Sequence, residues 1–172
     1  MDRGYIQVYT GNGKGKTTAA LGLALRSAGA GRKTFIGQFL KSMDYSEDKA
    51  LCALKDYITL KKYGLGCFIV DRPTRNDIDH ARKGLEEMEK ILALDEYDMV
   101  IFDEASVAIF FGLFTVGDLI GVIKKKPLRT EIVITGRYAP QELIEIADLV
   151  TEMVEIKHYY NKGLEARLGI EK

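Results

Sequence analysis

Short apolar runs alternate along this chain with longer segments in which apolar residues recur every three or four positions. The β-favouring runs predict strands at 5–9, 34–40, 57–63, 97–102 and 131–135. The periodic segments predict helices at 17–28, 76–94, 115–126 and 141–148. Apolar and polar residues alternate from 149 to 157, which predicts an outer strand. Strands that alternate with helices in this way are typical of an α/β fold.

The run at 97–102 is nearly all apolar, as expected of a central strand that is covered on both faces. We therefore predict a mostly parallel central sheet with helices on both faces. No repeat, low-complexity segment or Pro/Gly/Ser-rich linker divides the sequence. Residues 1–172 are thus expected to form a single domain.

The composition narrows the range of partners. Lys and Arg number 25, and Asp and Glu also number 25, so the formal net charge is zero. This balance argues against a nucleic-acid binder, which usually carries a basic excess. Two cysteines, neither in a C-x-x-C pair, argue against a zinc site or a disulfide framework. With no signal peptide and no apolar run long enough for a membrane span, we expect a cytoplasmic protein without a membrane partner.

A glycine-rich segment joins the first strand to the first helix and is the strongest chemical signal. Its glycines let backbone N–H groups turn towards an anion, and the helix adds its positive N-terminal dipole. The lysine before the helix supplies a full charge to a triphosphate, and the threonine after it is a typical Mg²⁺ ligand. We predict that ATP is bound by Gly11, Asn12, Gly13, Lys14, Gly15, Lys16, Thr17 and Thr18.

This order of strand, loop and helix predicts a P-loop NTPase-like domain. The alternative is a glycine-rich turn that binds no ligand. The spacing departs from the usual P-loop, because only three residues separate Gly11 from Gly15.

Asp103 and Glu104 end the apolar strand at 97–102. In an open α/β sheet the ligand lies beyond the carboxyl ends of the strands. Both carboxylates can therefore face the same metal ion as Thr17, and we predict Thr17, Glu104 and Asp103 as the metal site. The alternative is a charged strand end that faces only water.

Five stretches together resemble the P-loop-type ATP:corrinoid adenosyltransferases. They run in family order over nearly the whole chain: 9–18, 38–41 (QFLK), 98–104 (DMVIFDE), 134–137 (ITGR) and the tail 156–171 with its histidine. The resemblance implies transfer of the 5′-deoxyadenosyl group of ATP to the cobalt(I) of a reduced corrinoid, with release of triphosphate, in adenosylcobalamin synthesis. It also implies Mg²⁺, or Mn²⁺ in its place, a flavoprotein reductase as partner, and a homodimer.

The same resemblance assigns roles to individual residues. Lys16 and Glu104 would be catalytic, and Arg137 would lie near the nucleotide; alternatively, Arg137 is a surface residue paired with Glu131 or Asp148. Another strand end, with Gln38 and Lys41, faces the same cleft, although Lys41 could equally be a solvated charge. The tail histidine, His158, is more often structural than a cobalt ligand.

The sequence departs from the family pattern after the strand at 57–63. Family members carry a Gly-Phe-Thr-Trp-Glu-Thr stretch whose aromatic residues face the corrin, whereas this chain has 64–69 as GLGCFI and no tryptophan. It also has about four residues before the first strand, where relatives commonly carry an extension. Phe68 is the predicted corrin contact in the loop 64–77; alternatively, it begins an apolar run that packs into the core.

Two other functions stay open at this level. One is a P-loop small-molecule kinase, although the loop is shorter than usual and the only basic cluster, 124–126, lies at a helix end. The other is a non-catalytic ATP-binding module that has lost its corrin pocket. The altered stretch at 64–69 is the best support for that module.

Overall fold

The computed structural model describes residues 2–43, 45–65 and 72–171. The strands are β1 (Ile6–Thr10), β2 (Thr34–Gln38), β3 (Ile58–Lys62), β4 (Met99–Asp103), β5 (Glu131–Thr135) and β6 (Leu149–Glu152). They form one sheet in the order β3-β2-β4-β5-β1-β6, and every pairing is parallel. All strands therefore place their carboxyl ends at the same edge.

The connections are mainly helical. The helices are α1 (Lys16–Gly29), α2 (Ser46–Cys52), α3 (Arg75–Leu94), α4 (Ala105–Phe110), α5 (Val116–Ile123) and α6 (Gln141–Ile146), with a 3₁₀ turn at Tyr159–Lys162. No helix in the described ranges is long and apolar enough to cross a membrane. The predicted α/β architecture is confirmed, and the sheet is wholly parallel rather than mostly so.

The two faces of the sheet carry separate cores. One face packs on α1, where the small side chains of Ala20, Ala24 and Ala28 let the helix approach the strands closely. The other face is larger and packs on α3 to α6. Its strand residues are Val8, Phe35, Val100, Phe102, Ile132 and Ile134. The predicted helices on both faces are thus present.

The structure differs from the sequence prediction at several element ends. β6 ends at Glu152 rather than at 157, because its only partner is β1, which itself ends at Thr10. α5 ends at Ile123, three residues before the predicted end. The sequence analysis missed α2, α4 and the 3₁₀ turn, since segments of four to seven residues show too little periodicity to be recognised.

α3 begins with a capping box. Thr74 Oγ1 accepts from the Asp77 N–H at 3.2 Å, and Asp77 Oδ2 accepts from the Thr74 N–H at 2.8 Å. The face predicted from periodicity is indeed buried at Ala81, Leu85, Met88 and Leu92. On this face Gly84 lies so close to Tyr63 that an added Cβ would come within 2.5 Å of the ring.

We predict opposite effects of Gly→Ala at two helical positions. Gly84→Ala should lower the free energy of unfolding by about 1–3 kcal/mol, because the methyl group overlaps the buried Tyr63 ring. Gly22→Ala in α1 should raise it by about 0.5–1 kcal/mol, because nothing lies within 4 Å of the added group and alanine favours the helix. Urea unfolding measures both, and equal stabilisation by the two variants would contradict this packing.

Candidate active site

The glycine-rich loop closes around its own lysine. Gly11 and Gly15 have φ values of 94° and 115°, in the left-handed region that side chains disfavour. Lys16 Nζ donates to the carbonyl oxygens of Gly11 and Gly13, at 2.7 Å each. Burial lowers the pKa of Lys16, although the negative charge of Glu104 opposes this. The lysine thus holds the loop in its curved form.

Part of the loop makes a backbone contact within the fold and does not offer that donor to a ligand. The Gly13 N–H donates to the Met153 carbonyl oxygen at 2.7 Å, just beyond β6. A Cβ on Gly11 or Gly13 would lie 2.4 or 2.7 Å from that same oxygen. The N–H groups at the start of α1 have no acceptor within the helix and are available to an anion. The Gly13 N–H, in contrast, is used within the fold.

Asp103 is the most heavily hydrogen-bonded side chain at this edge of the sheet. Its Oδ1 accepts from Thr17 Oγ1 at 2.8 Å and from Thr135 Oγ1 at 2.7 Å. Its Oδ2 accepts from Lys41 Nζ at 2.9 Å and from Gln38 Nε2 at 3.0 Å. The residue is 1% exposed. The prediction that Thr17 and Asp103 meet at the strand ends is therefore realised, and Lys41 is not a solvated charge.

Thr135 is the residue of this cluster whose role the sequence analysis missed. Besides Asp103, its hydroxyl oxygen accepts from the Glu104 N–H at 2.9 Å, so it fixes both acidic residues. The only signal was its place at the end of a predicted strand. A threonine there is also ordinary in a β-strand, and its partners come from a different strand.

The carboxylate of Glu104 has fewer described contacts that would compensate its charge than the carboxylate of Asp103 has. It begins α4 with φ 59°, a left-handed conformation that is strained for a residue with a side chain. Burial and the charge of Asp103 raise its pKa, whereas the positive charges of Lys41, Lys16 and Arg137 act in the opposite direction. A carboxylate in this position is stabilised by any further cation that enters the site.

The donor atoms at this position suit Mg²⁺. Thr17, Asp103 and Glu104 offer only oxygen, which hard divalent cations prefer. Within the described ranges, no group of three or more His, Cys, Asp or Glu side chains is close enough to form a full metal cage. Mg²⁺ commonly takes one or two carboxylates together with phosphate oxygens, so this sparse set fits it.

A cleft of about 670 Å³ opens beside these residues, within the usual range for small-molecule sites. Its lining comprises Gly13, Lys14, Gly15, Lys16, Thr17, Thr18, Leu21, Lys41, Tyr45, Ser46, Glu47, Ala50, Glu104, Arg137, His158, Gly169, Ile170 and Glu171. Most predicted loop residues are thus brought together with Glu104 and Arg137. Asn12 is exposed and is not among the described residues of this lining.

Arg137 is exposed at the cleft, on the turn after β5. The two acidic residues with which it could have paired have other contacts. Glu131 accepts from the Tyr5 N–H at 2.7 Å, and Asp148 accepts from the Ile6 N–H at 2.8 Å. Arg137 therefore lines the cleft, and both acidic residues have backbone partners elsewhere.

Lys14 contacts the C-terminal tail. Its Nζ forms an ion pair with Glu171 at 2.7 Å and donates to Tyr159 Oη and the Ile170 carbonyl oxygen, both at 3.0 Å. The His158 ring has a local structural contact, because its Nδ1 accepts from the backbone N–H two residues further on, at 3.1 Å. The tail therefore forms one wall of the cleft. Phe68, the predicted corrin contact, lies outside the described residues.

Comparison with known proteins agrees with this geometry. The family model for ATP:corrinoid adenosyltransferase BtuR/CobO/CobP matches residues 2–171. The chain belongs to the ATP:corrinoid adenosyltransferase family. It is 33% identical to a corrinoid adenosyltransferase of Sinorhizobium sp. over 99% of this chain and 81% of that relative, and 32% identical to one of Escherichia coli K12 over 99% and 86%. The predicted ATP-using transferase is confirmed, and the kinase and the non-catalytic module lose support.

A solved structure shares the fold. The flagellar accessory protein FlaH of Methanocaldococcus jannaschii superimposes with a TM-score of 0.59 over 88% of this chain and 72% of its own. The sequences are 14% identical, so this likeness concerns the fold alone. It agrees with the parallel α/β fold of this adenosyltransferase-family chain.

We predict that Glu104→Gln stabilises the ligand-free protein at neutral pH. Because the folded-state pKa of Glu104 is raised, folding binds a proton there, and its contribution to stability is lost as pH rises above the unfolded value of about 4.3. The variant should melt at a higher temperature than wild type at pH 7. The gain should vanish below pH 4.

Melting curves between pH 4 and 8, without metal or nucleotide, test this prediction. Glu165→Gln is the matched control, since Glu165 is an exposed tail residue. A Glu104→Gln protein that melts lower than wild type at pH 7 would show that its charge is already compensated in the folded chain.

Proposed function

We propose that this chain transfers the 5′-deoxyadenosyl group of ATP to the cobalt(I) of a reduced corrinoid and releases triphosphate. Family membership supports the reaction class. The observation that carries the assignment of this site is the Thr17–Asp103 contact at 2.8 Å, beside the loop that encloses Lys16. That contact joins the phosphate-binding segment to the acidic strand end.

The reaction requires little acid–base catalysis by the protein. The electron pair of cobalt(I) forms the bond to C5′ of the ribose, the C5′–O bond breaks, and its electron pair leaves with the triphosphate. Cobalt(I) is thereby oxidised formally to cobalt(III). No proton has to be removed from the nucleophile, so no residue is needed as a general base. The chain must instead align C5′ and stabilise a highly charged leaving group.

The residues around the cleft are suited to that leaving group. Lys16 and the first-turn N–H groups of α1 would bind phosphate oxygens, as they do in other helix N-terminal sites. Thr17, Glu104 and Asp103 would hold Mg²⁺, or Mn²⁺ in its place. When bound, the metal ion neutralises charge on the triphosphate. Arg137, which lines the same cleft, would lie near the nucleotide.

The partners follow from the same chemistry. Cobalt(I) is a strong reductant and has to be generated by electron transfer, for which we propose a flavoprotein reductase. We further propose a cytoplasmic location, where ATP is available and conditions are reducing, and a homodimer as in the family resemblance. The zero net charge gives no support for a nucleic-acid partner.

The function is tested by incubating the protein with ATP, Mg²⁺ and chemically reduced cobalamin. We expect the spectrum of a cobalt–carbon bond together with inorganic triphosphate. Lys16→Ala should lower the rate by about 100-fold or more, because it removes a preorganised charge from the leaving group. Lys124→Ala, at the exposed end of α5, is the control and should behave as wild type. Formation of ADP instead of triphosphate would indicate a kinase.

We also propose that the segment 64–77, whose last three residues begin α3, contacts the corrin, and Phe68 in particular. An aromatic ring offers 150–250 Å² of apolar surface, which suits the face of a macrocycle. Phe68→Ala should raise the KM for reduced cobalamin by about tenfold and leave the Kd for ATP unchanged. A large fall in melting temperature with an unchanged cobalamin KM would identify Phe68 as a core residue. Loss of ATP binding alone would place the loop over the nucleotide.

A further inference from the structure

Lys41 carries a mostly buried positive charge where the proposed metal ligands meet. Its ammonium Nζ lies 2.9 Å from Asp103 Oδ2 and 3.3 Å from Thr17 Oγ1. The Lys41 side chain is 16% exposed and that of Asp103 is 2% exposed. An ammonium group and a divalent cation seek the same oxygen atoms. While the ammonium contacts these oxygen atoms, it therefore opposes binding of a divalent cation to them.

The backbone around Lys41 is fixed tightly. Leu40 has φ 61°, a left-handed conformation that is strained for a branched side chain. A Cβ on Gly64 would lie 2.6 Å from Lys41 N, and the Gly64 N–H donates to the Lys41 carbonyl oxygen at 3.2 Å. Strained segments held by close packing are common at functional sites. Here the strained turn delivers the lysine side chain to the acidic strand end.

The surroundings keep this side chain charged. Burial opposes the charge, but the attraction of Asp103, then of Glu104 and Glu47, raises the pKa of Lys41 overall. The Tyr45 ring lies 5.6 Å from the ammonium on the cleft side, within the range of a cation–π contact. Tyr45 and Glu47 both line the cleft, so an aromatic face and a carboxylate lie on the cleft side of the Lys41 ammonium.

We propose that Lys41 is a tethered counter-ion of this site. Its ammonium holds Thr17 and Asp103 in place before a divalent cation binds, and it moves into the cleft towards the triphosphate when that cation takes its place. The second half of this inference rests on the proposed function, whereas the first half concerns only the ligand-free protein and the metal. Lys41 thus competes with the divalent cation for Thr17 and Asp103 and, once displaced, is an additional charge for the leaving group.

The first test measures Mn²⁺ binding without nucleotide, from the electron paramagnetic resonance signal of free Mn²⁺. Lys41→Met should bind Mn²⁺ about tenfold more tightly than wild type, because the competing positive charge is gone. Lys41→Gln keeps a hydrogen-bond donor for Asp103 and should show the same gain if Lys41→Met does not fold. Lys41→Arg keeps the charge and should bind Mn²⁺ as weakly as wild type.

The matched control is Lys61→Met. Lys61 lies on the edge strand β3 and, like Lys41, pairs with an acidic residue, in this case Glu87 at 2.6 Å, but on an exposed surface. This variant changes the net charge equally and should leave Mn²⁺ affinity unchanged. The counter-ion role is overturned if the uncharged Lys41 variants bind Mn²⁺ no more tightly than Lys61→Met does.

The second test measures the Kd for ATP at saturating Mg²⁺. Lys41→Met should bind ATP about tenfold more weakly than wild type, because the triphosphate loses one cation. An unchanged ATP affinity would overturn the transfer of the ammonium to the triphosphate. A wild-type protein that binds no ATP would refute the proposed function, while the Mn²⁺ titration would still decide whether Lys41 competes with the metal.

Discussion

The arrangement of the whole cleft depends on the burial of the Asp103 carboxylate. A charge removed from water has to be compensated by close donors, or the fold is destabilised. Four side chains provide that compensation, from the start of α1, the end of β2 with the turn after it, and the end of β5. These three segments are thereby held at the end of β4. Replacing such a network by apolar groups often costs little stability. The importance of this network is that it fixes the positions of the side chains around Asp103.

Two adjacent carboxyl groups at the same strand end have different environments. Asp103 is satisfied by the chain itself, whereas Glu104 is left in a strained backbone conformation beside its neighbour's negative charge. One group organises the protein, and the other is free to respond to an incoming cation. Such a division between neighbouring acidic residues is a frequent way of building a reactive site.

Much of this could be predicted from sequence because the signals are local. Five-residue apolar strands, the glycine-rich turn and the Asp103–Glu104 pair were all recognisable from consecutive residues. Other contacts join residues that are far apart in the sequence. Lys14 pairs with Glu171, more than 150 residues away. Gly13 lies in a sequence typical of a binding loop, yet its N–H donates to the carbonyl oxygen of Met153. No short-range pattern reveals either contact.

The bond from Gly13 to Met153 also has a consequence for how the protein matures. The phosphate loop is made near the start of the chain, but the backbone that supports it follows β6, some 140 residues later. During synthesis this hydrogen bond can form only after β6 has added to the edge of the sheet. A ribosome-bound chain that lacks β6 therefore holds the whole loop sequence without the backbone contact that supports it.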